Sequence, residues 1–238
     1  MSTGLITIKN PKSPISEAYR TLRTNIQFSN IDGNLRTICV TSSGPGEGKS
    51  TTISNLAETF AQAGKRVVII DCDLRKPRIH KIFNLSNTMG MTNLLVGQVD
   101  IQSVEQKAGS DLTVITSGPI PPNPSELLGS TMMKNLLNEF KKQYDIVLID
   151  APPVGIVTDA AILSTIVDGT ILVVASGRTE IDGAKRAKQL LENVGARILG
   201  VAMTMIPVSK KGYYGYQYNS YYSNEDEIAL KKKKFGRG

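Results

Sequence analysis

Short, uninterrupted apolar runs recur along the chain: Ile38-Cys39-Val40, Val67 to Ile70, Leu112 to Thr116, Ile146 to Ile149, Thr170 to Ala175 and Ile198 to Met203. A run apolar at every position must be covered on both faces, as in a parallel sheet. Between the runs the apolar residues return with a helical period. One such pattern passes through Leu56, Ala57, Phe60 and Ala61 to a C-capping Gly64, and others cover Ser125 to Lys142, Asp159 to Val167 and Ile181 to Val194. Strand alternating with helix predicts an α/β fold with a doubly wound, mostly parallel sheet. Residues 1–15 are polar and broken by Pro11 and Pro14, so they read as an arm. Ser16 is the expected N-cap of a helix Glu17 to Phe28. On that helix Ala18, Leu22 and Ile26 share an apolar arc, and Glu17, Arg20 and Arg23 share the opposite, charged one, expected to remain free.

The first apolar run leads into Ser43-Gly44-Pro45-Gly46-Glu47-Gly48-Lys49-Ser50-Thr51, which opens the next helix. Strand, glycine-rich turn and helix in this order form a nucleotide phosphate-binding loop. Gly44, Gly46 and Gly48 let the backbone curl so that its N–H groups, including those of Glu47 and Thr51, converge on an anion. The helix N-terminus adds partial positive charge. Lys49 is placed to reach the β- and γ-phosphates, and the Ser50 hydroxyl to ligate Mg²⁺. Ser43 stands where the strict pattern has glycine.

In an open parallel sheet, ligands bind beyond the carboxyl ends of the strands. Asp71 and Asp73 follow one run and Asp150 ends another. Asp150, after a hydrophobic strand, is the expected partner of the Mg²⁺ shell. Of the pair Asp71 and Asp73, one could orient or deprotonate an attacking group and the other help hold the metal. A strand-end aspartate can also simply cap the turn after it, but three beside one phosphate loop suit that role poorly.

Composition narrows the picture. A chain of 238 residues with 40% hydrophobic and 21% charged positions has the balance of one ordinary globular domain. No apolar run is long enough to span a bilayer and the N-terminus lacks an apolar signal core, so a cytoplasmic protein is expected. Cys39 and Cys72 read as reduced core residues, and with His80 as the sole histidine a histidine triad or zinc site is disfavoured. The net charge of +7 favours an acidic partner. From about Lys210 the framework disappears. Six of the chain's eight tyrosines, Tyr213, Tyr214, Tyr216, Tyr218, Tyr221 and Tyr222, fall among Gly, Ser, Asn and Gln, and Lys231 to Lys234 follow. This reads as a tail that leaves its phenols available. The division expected is therefore an arm 1–15, a phosphate-loop domain 16–209 and a Tyr- and Lys-rich tail 210–238.

These segments together resemble the bacterial tyrosine kinases of capsule and exopolysaccharide synthesis. The resemblance rests on the phosphate loop (Walker A), on Val67 to Asp71-Cys72-Asp73-Leu74-Arg75-Lys76-Pro77 (Walker A′) and on Ile146 to Asp150-Ala151-Pro152-Pro153 (Walker B). Glu17-Ala18-Tyr19-Arg20-Thr21-Leu22-Arg23, the loop Gly118 to Leu128 and the tyrosine tail extend it over nearly the whole chain. It implies an ATP- and Mg²⁺-dependent autokinase in which Lys49 contacts phosphates, Asp71 is the candidate base toward the tyrosine hydroxyl, and Ser50, Asp73 and Asp150 serve the metal. It further implies a homo-oligomeric ring, an octamer being one closure, joined through Glu17, Arg20 and Arg23, each copy offering its tail tyrosines to the next. A transmembrane adaptor that recruits the chain to the inner face of the membrane and a cognate tyrosine phosphatase are implied as partners; nucleic acid is not. The alternative is a partition- or septum-site-type ATPase switch controlling membrane or DNA attachment. Those relatives carry a second lysine at the position of Gly44, and its absence favours the kinase branch. Thr204 stands where relatives usually have Asn near the adenine.

Overall fold

The computed structural model describes residues 4–29, 33 and 35–207; the tyrosines of 213–222, Lys231 to Lys234 and the first three residues lie outside them. The elements run α1 (Ile6–Lys9), α2 (Pro14–Phe28), β1 (Thr37–Ser42), α3 (Lys49–Ala61), β2 (Val67–Asp71), α4 (Ile79–Phe83), α5 (Met91–Leu95), β3 (Gln106–Lys107) and β4 (Leu112–Ile115). They continue with α6 (Pro124–Leu128), α7 (Thr131–Gln143), β5 (Ile146–Asp150), α8 (Asp159–Ser164), β6 (Gly169–Ala175), α9 (Ile181–Asn193) and β7 (Ile198–Thr204). The strands form one sheet in the order β3-β4-β2-β5-β1-β6-β7. All neighbours are parallel except the two-residue β3, which pairs antiparallel with β4.

The uninterrupted strands are explained by two cores, one on each face. Successive residues point to opposite faces. Val68 and Ile70 pack with Met133, Leu137 and Phe140 of α7 on one side. Val67 and Ile69 pack with Ile53, Leu56 and Phe60 of α3 on the other. The edge strand β7 is covered less completely, and Val201 and Met203 are more than half exposed.

Several expectations need correction. The N-terminal segment is not a free arm from Leu5 onward: Leu5 is buried in the α3-side core, and the backbone N–H and hydroxyl of Thr7 donate to Asn55 Oδ1 at 3.2 and 3.0 Å. The N-cap of α2 is Ser13, whose Oγ accepts from Ser16 N, with Pro14 at the first helical position. Proline fits there because that N–H has no intrahelical partner to lose. Leu22 and Ile26 of the expected apolar arc do pack in the α3-side core, but the ends of the two arcs differ from expectation. Ala18 is exposed, while Arg23 turns inward and donates to Thr59 O at 2.6 Å; Arg20 pairs with Glu17 of its own helix. The segment expected as one helix from Ser125 to Lys142 is two, because Gly129 ends α6 and Ser130 caps α7 by accepting from Met133 N.

The N-terminal ends of β1 and β6 are joined by one carboxylate. Asp168 Oδ2 accepts from Arg36 N and Thr37 N at 2.9 and 2.8 Å, and Oδ1 receives Lys141 Nζ at 2.9 Å. Burial pushes this carboxyl up, but Lys141 and the backbone donors outweigh it and hold it below the usual carboxylate range. A depressed folded value means stability present above the unfolded value of about 3.9 and lost as pH falls through the folded one. Asp168→Asn is expected to cost about 1–2 kcal/mol at pH 7. Its deficit relative to the parent shrinks below about pH 4, which paired urea titrations at pH 7 and pH 3 would register.

Candidate active site

β1, β2 and β5 bring the phosphate loop and the three aspartates to one edge of the sheet. Asp71 lies opposite Asp150 in the β2–β5 register, and Asp150 lies opposite Val40 of β1. The glycines act where the backbone needs them. Gly46 and Gly48 have φ of 73° and 90°, the left-handed region that a side chain disfavours. The Glu47 side chain is turned back into the loop, where it accepts from Ser43 N at 2.9 Å, Ser43 Oγ at 2.6 Å and Thr179 Oγ1 at 2.7 Å. Its backbone is what remains to meet a phosphate.

Lys49 is not on the surface. Its side chain is about nine-tenths buried, with Nζ 2.8 Å from Asp73 Oδ2 and 3.5 Å from Asp150 Oδ1. Burial works to lower its pKa, but Asp150 and Asp73 outweigh burial and leave it raised, so the ammonium is charged at neutral pH. Asp71 is fully buried. Its Oδ2 accepts from Arg78 N and Ile79 N at 3.2 and 3.1 Å, and Oδ1 accepts from Asp73 N at 3.2 Å. The turn-capping role is therefore real for Asp71, and it coexists with a place beside the cluster. Burial first, and then the Asp150 charge, hold the Asp71 carboxyl well above the usual range; burial likewise raises Asp150.

Both carboxylate oxygens of Asp150 are buried without a hydrogen bond, the Lys49 approach being an ion pair only. Asp73 and Asp150 share one ammonium, with the buried Asp71 carboxyl beside them, which leaves a negative excess away from water. Such an arrangement suits a divalent cation. Among the described residues no three His, Cys, Asp or Glu side chains form a metal cluster by themselves. That suits Mg²⁺, which takes one or two carboxylates and completes its shell with water and phosphate oxygens.

Contacts from distant segments support the loop and its surroundings, and those of Arg178 and Gly155 carried no local sequence signal. Arg178, after β6, lies over Gly46 and donates from Nη1 to its carbonyl at 3.2 Å. Thr204 Oγ1 at the end of β7 donates to Glu47 O at 2.6 Å. Arg75 clasps buried Asp159 through Nε at 2.9 Å and Nη2 at 3.0 Å, and Ser125 Oγ also donates to Asp159 at 2.7 Å. Gly155 passes so close to the loop that a Cβ there would sit 2.3 Å from Ser43 O. Gly155→Ala must displace one backbone, at an expected cost of about 1–3 kcal/mol. It should also weaken nucleotide binding about tenfold, and calorimetric titration with an ATP analogue would measure this.

A family model described as ParA, NUBPL iron-transfer P-loop NTPase, matches residues 34–228. The sharper finding is the tyrosine-protein kinase YwqD of Bacillus subtilis (strain 168), 47% identical over 217 residues, covering 91% of this chain and 92% of that protein. The chain belongs to the bacterial tyrosine-protein kinases. Solved structures agree. The chimerical protein CapA2B2 superposes with a TM-score of 0.83 at 44% identity, covering 86% of this chain and 90% of that one. The kinase domain of Escherichia coli tyrosine kinase ETK superposes at 0.84 and 33% identity, covering 90% of this chain and 84% of that one. The kinase is thus a P-loop enzyme that transfers phosphate from ATP to protein tyrosine. The ATPase-switch alternative has no comparable support. Among the described residues no helix of the kinase is long and apolar enough to cross a membrane.

Proposed function

We propose that the kinase phosphorylates the tyrosines Tyr213 to Tyr222 of a neighbouring copy and thereby regulates capsule or exopolysaccharide synthesis and export. In this reading a transmembrane adaptor recruits and activates it at the inner membrane face, and a tyrosine phosphatase resets it. The observation that carries the reading is Lys49 held 2.8 Å from Asp73 and 3.5 Å from Asp150 at the mouth of the phosphate loop, beside a buried Asp71. Ser50, Asp73 and Asp150 would hold Mg²⁺, which when bound neutralises charge on the phosphates. Lys49 turns from its carboxylates to the phosphates and steadies the charge on the transferring group. Asp71, in its ionised form, accepts the phenolic proton as the tyrosine oxygen bonds to the γ-phosphorus and the bond to the β-phosphate oxygen breaks. Loop N–H groups hold the leaving diphosphate.

Incubating the purified kinase with labelled ATP tests this. Label on tail tyrosines is expected; release of free phosphate alone would favour the ATPase switch instead. We further infer a ring joined through Glu17, Arg20 and Arg23, in which each tail is held near the next site at an effective concentration on the order of millimolar. Phosphorylation, adding roughly −1.5 to −2 charges per tyrosine, ejects the tail and loosens the ring. Arg20→Glu with Arg23→Glu should give a smaller particle by light scattering and weak self-labelling. Because Arg23 also braces α2 against α3, Arg20→Glu alone is the cleaner arm. Equal masses for unphosphorylated, phosphorylated and variant protein would remove the ring from this account.

A further inference from the structure

The loop leaving β2 carries more positive charge than its part in the cluster uses. Arg75 is spent on Asp159, but Lys76, Arg78 and Lys81 follow within six positions and all three are exposed. Among the described residues none of them has an acidic partner, the ion pairs lying elsewhere. Arg78 and Lys81 are three apart at the start of α4, with Lys81 N donating to Arg78 O at 3.0 Å, so their side chains share a side. Burial first, and then the charges of Lys81 and Arg78, lower the pKa of His80 between them.

The position of these cations is what gives them meaning. The backbone N–H of Lys76 donates to Asp73 Oδ1 at 3.0 Å, and that of Arg78 to Asp71 Oδ2 at 3.2 Å. The free ammonium and guanidinium groups therefore stand about one side chain away from the reacting carboxylates, at the rim of the site. An unpaired basic rim there calls for an acidic substrate segment.

The chain contains one such segment at a matching distance. After Tyr221-Tyr222 come Ser223-Asn224 and then Glu225-Asp226-Glu227. Three residues of extended chain, from Tyr222 to Glu225, span about 10 Å. A tyrosine at the Asp71 carboxylate would thus place the acids over the basic rim. The eighteen residues from the last described position, 207, to Glu225 can extend to about 60 Å, enough to reach another copy. We propose that Lys76, Arg78 and Lys81 form a docking rim for the acidic segment Glu225-Asp226-Glu227 of another copy, which sets the tail tyrosines in register with the active site. This rests on the autokinase reading and adds to it a reason why these tyrosines are chosen.

The experiment uses full-length protein throughout. A Lys49→Met chain serves as acceptor, and the donor carries Phe at its own tail tyrosines. Neutralising the acceptor (Glu225→Gln, Asp226→Asn, Glu227→Gln) should raise its KM about tenfold, the effect of three rim charge pairs, and leave kcat within about twofold. Neutralising the donor rim (Lys76→Gln, Arg78→Gln, Lys81→Gln) should do the same, and combining both should add almost nothing further. A charge-swapped pair, with glutamates on the rim and lysines at 225–227, should recover most of the loss. In parallel, anisotropy with a labelled synthetic peptide of residues 208–230 should show binding to the intact chain about tenfold weaker when either side is neutralised. That arm reports on docking even if no tyrosine is labelled, so failure of the kinase reading and failure of the rim are separable. An unchanged KM and peptide affinity, losses that simply add, or no recovery on swapping would overturn the proposal. A rim variant that lowers kcat, or ATP affinity, without moving acceptor KM would assign these cations to the nucleotide instead.

Discussion

Lys49→Met is expected to leave about a thousandth or less of the parental tyrosine labelling. Among the described residues the buried ammonium is the one side-chain cation within reach of both Asp73 and Asp150. Removing a preorganised charge aimed at a transferring group costs about 10²–10³ in rate for a single donor. Here the same change also leaves Asp73 and Asp150 without a counter-charge. The burial of Lys49 adds a second effect, because a broken buried ion pair destabilises. Methionine keeps the length of the chain and so opens no large void. Because burial already holds the Asp71 carboxyl high, the charge left unbalanced is that of Asp73 and Asp150, and the loss should be about 2 kcal/mol, below the ~3–5 kcal/mol of a fully uncompensated buried pair. For a domain of this size that is a fall of roughly 4–8 °C in Tm. The check is labelled ATP with phosphotyrosine read-out beside a thermal melt. Labelling within tenfold of the parent would refute the assignment, whatever the melt shows.

Asp71→Asn should reduce single-turnover phosphotransfer by about 10²–10⁴-fold while changing ATP affinity only a few-fold. The amide cannot accept the phenolic proton. The structure adds a complication. Both Asp71 oxygens already accept backbone N–H groups, from Asp73 on one side and from Arg78 and Ile79 on the other. An amide can satisfy only one of those sides, and its NH₂ must face a donor on the other. The loop 72–79 should therefore loosen, visible as faster amide exchange at Asp73 or at Arg78 and Ile79. Rapid-quench measurement under saturating ATP separates the two consequences. If nucleotide affinity collapsed and the chemical step did not, Asp71 would be a loop-holding residue and the base would have to be sought elsewhere.

Much of this was legible from one sequence, for identifiable reasons. The major strands were visible because a doubly covered parallel strand has no polar face, and Val67 to Ile70 is apolar at every position. The phosphate loop and Asp150 were legible because local spacing fixes their geometry. Errors arose where tertiary contacts outranked local pattern. On α2, Leu22 and Ile26 face the core as their period expects, but Arg23 leaves the charged arc because it finds Thr59 O. The elements α4, α5 and β3 are too short to show a period. Gly155 and Arg178 meet the phosphate loop across more than a hundred residues of chain, and nothing near them in sequence announces it; Thr204, expected near the adenine, instead reaches Glu47 O. The capping role of Asp71, read from sequence as an alternative to chemistry, is made by both its oxygens, while the carboxyl also lies opposite Asp150 in the sheet register.

The two thiols bear on how this kinase can be studied. Cys39 and Cys72 are the chain's two cysteines, and both have no exposed surface. Burial pushes Cys39 up to about 12 and Cys72 well above its ordinary value. Maleimides and iodoacetamide attack the thiolate, so the native protein should be silent to them. A cysteine placed at a chosen point of the tail would then be the one reactive handle for a dye or spin label. Uptake of a second and third equivalent would signal that the sheet had opened.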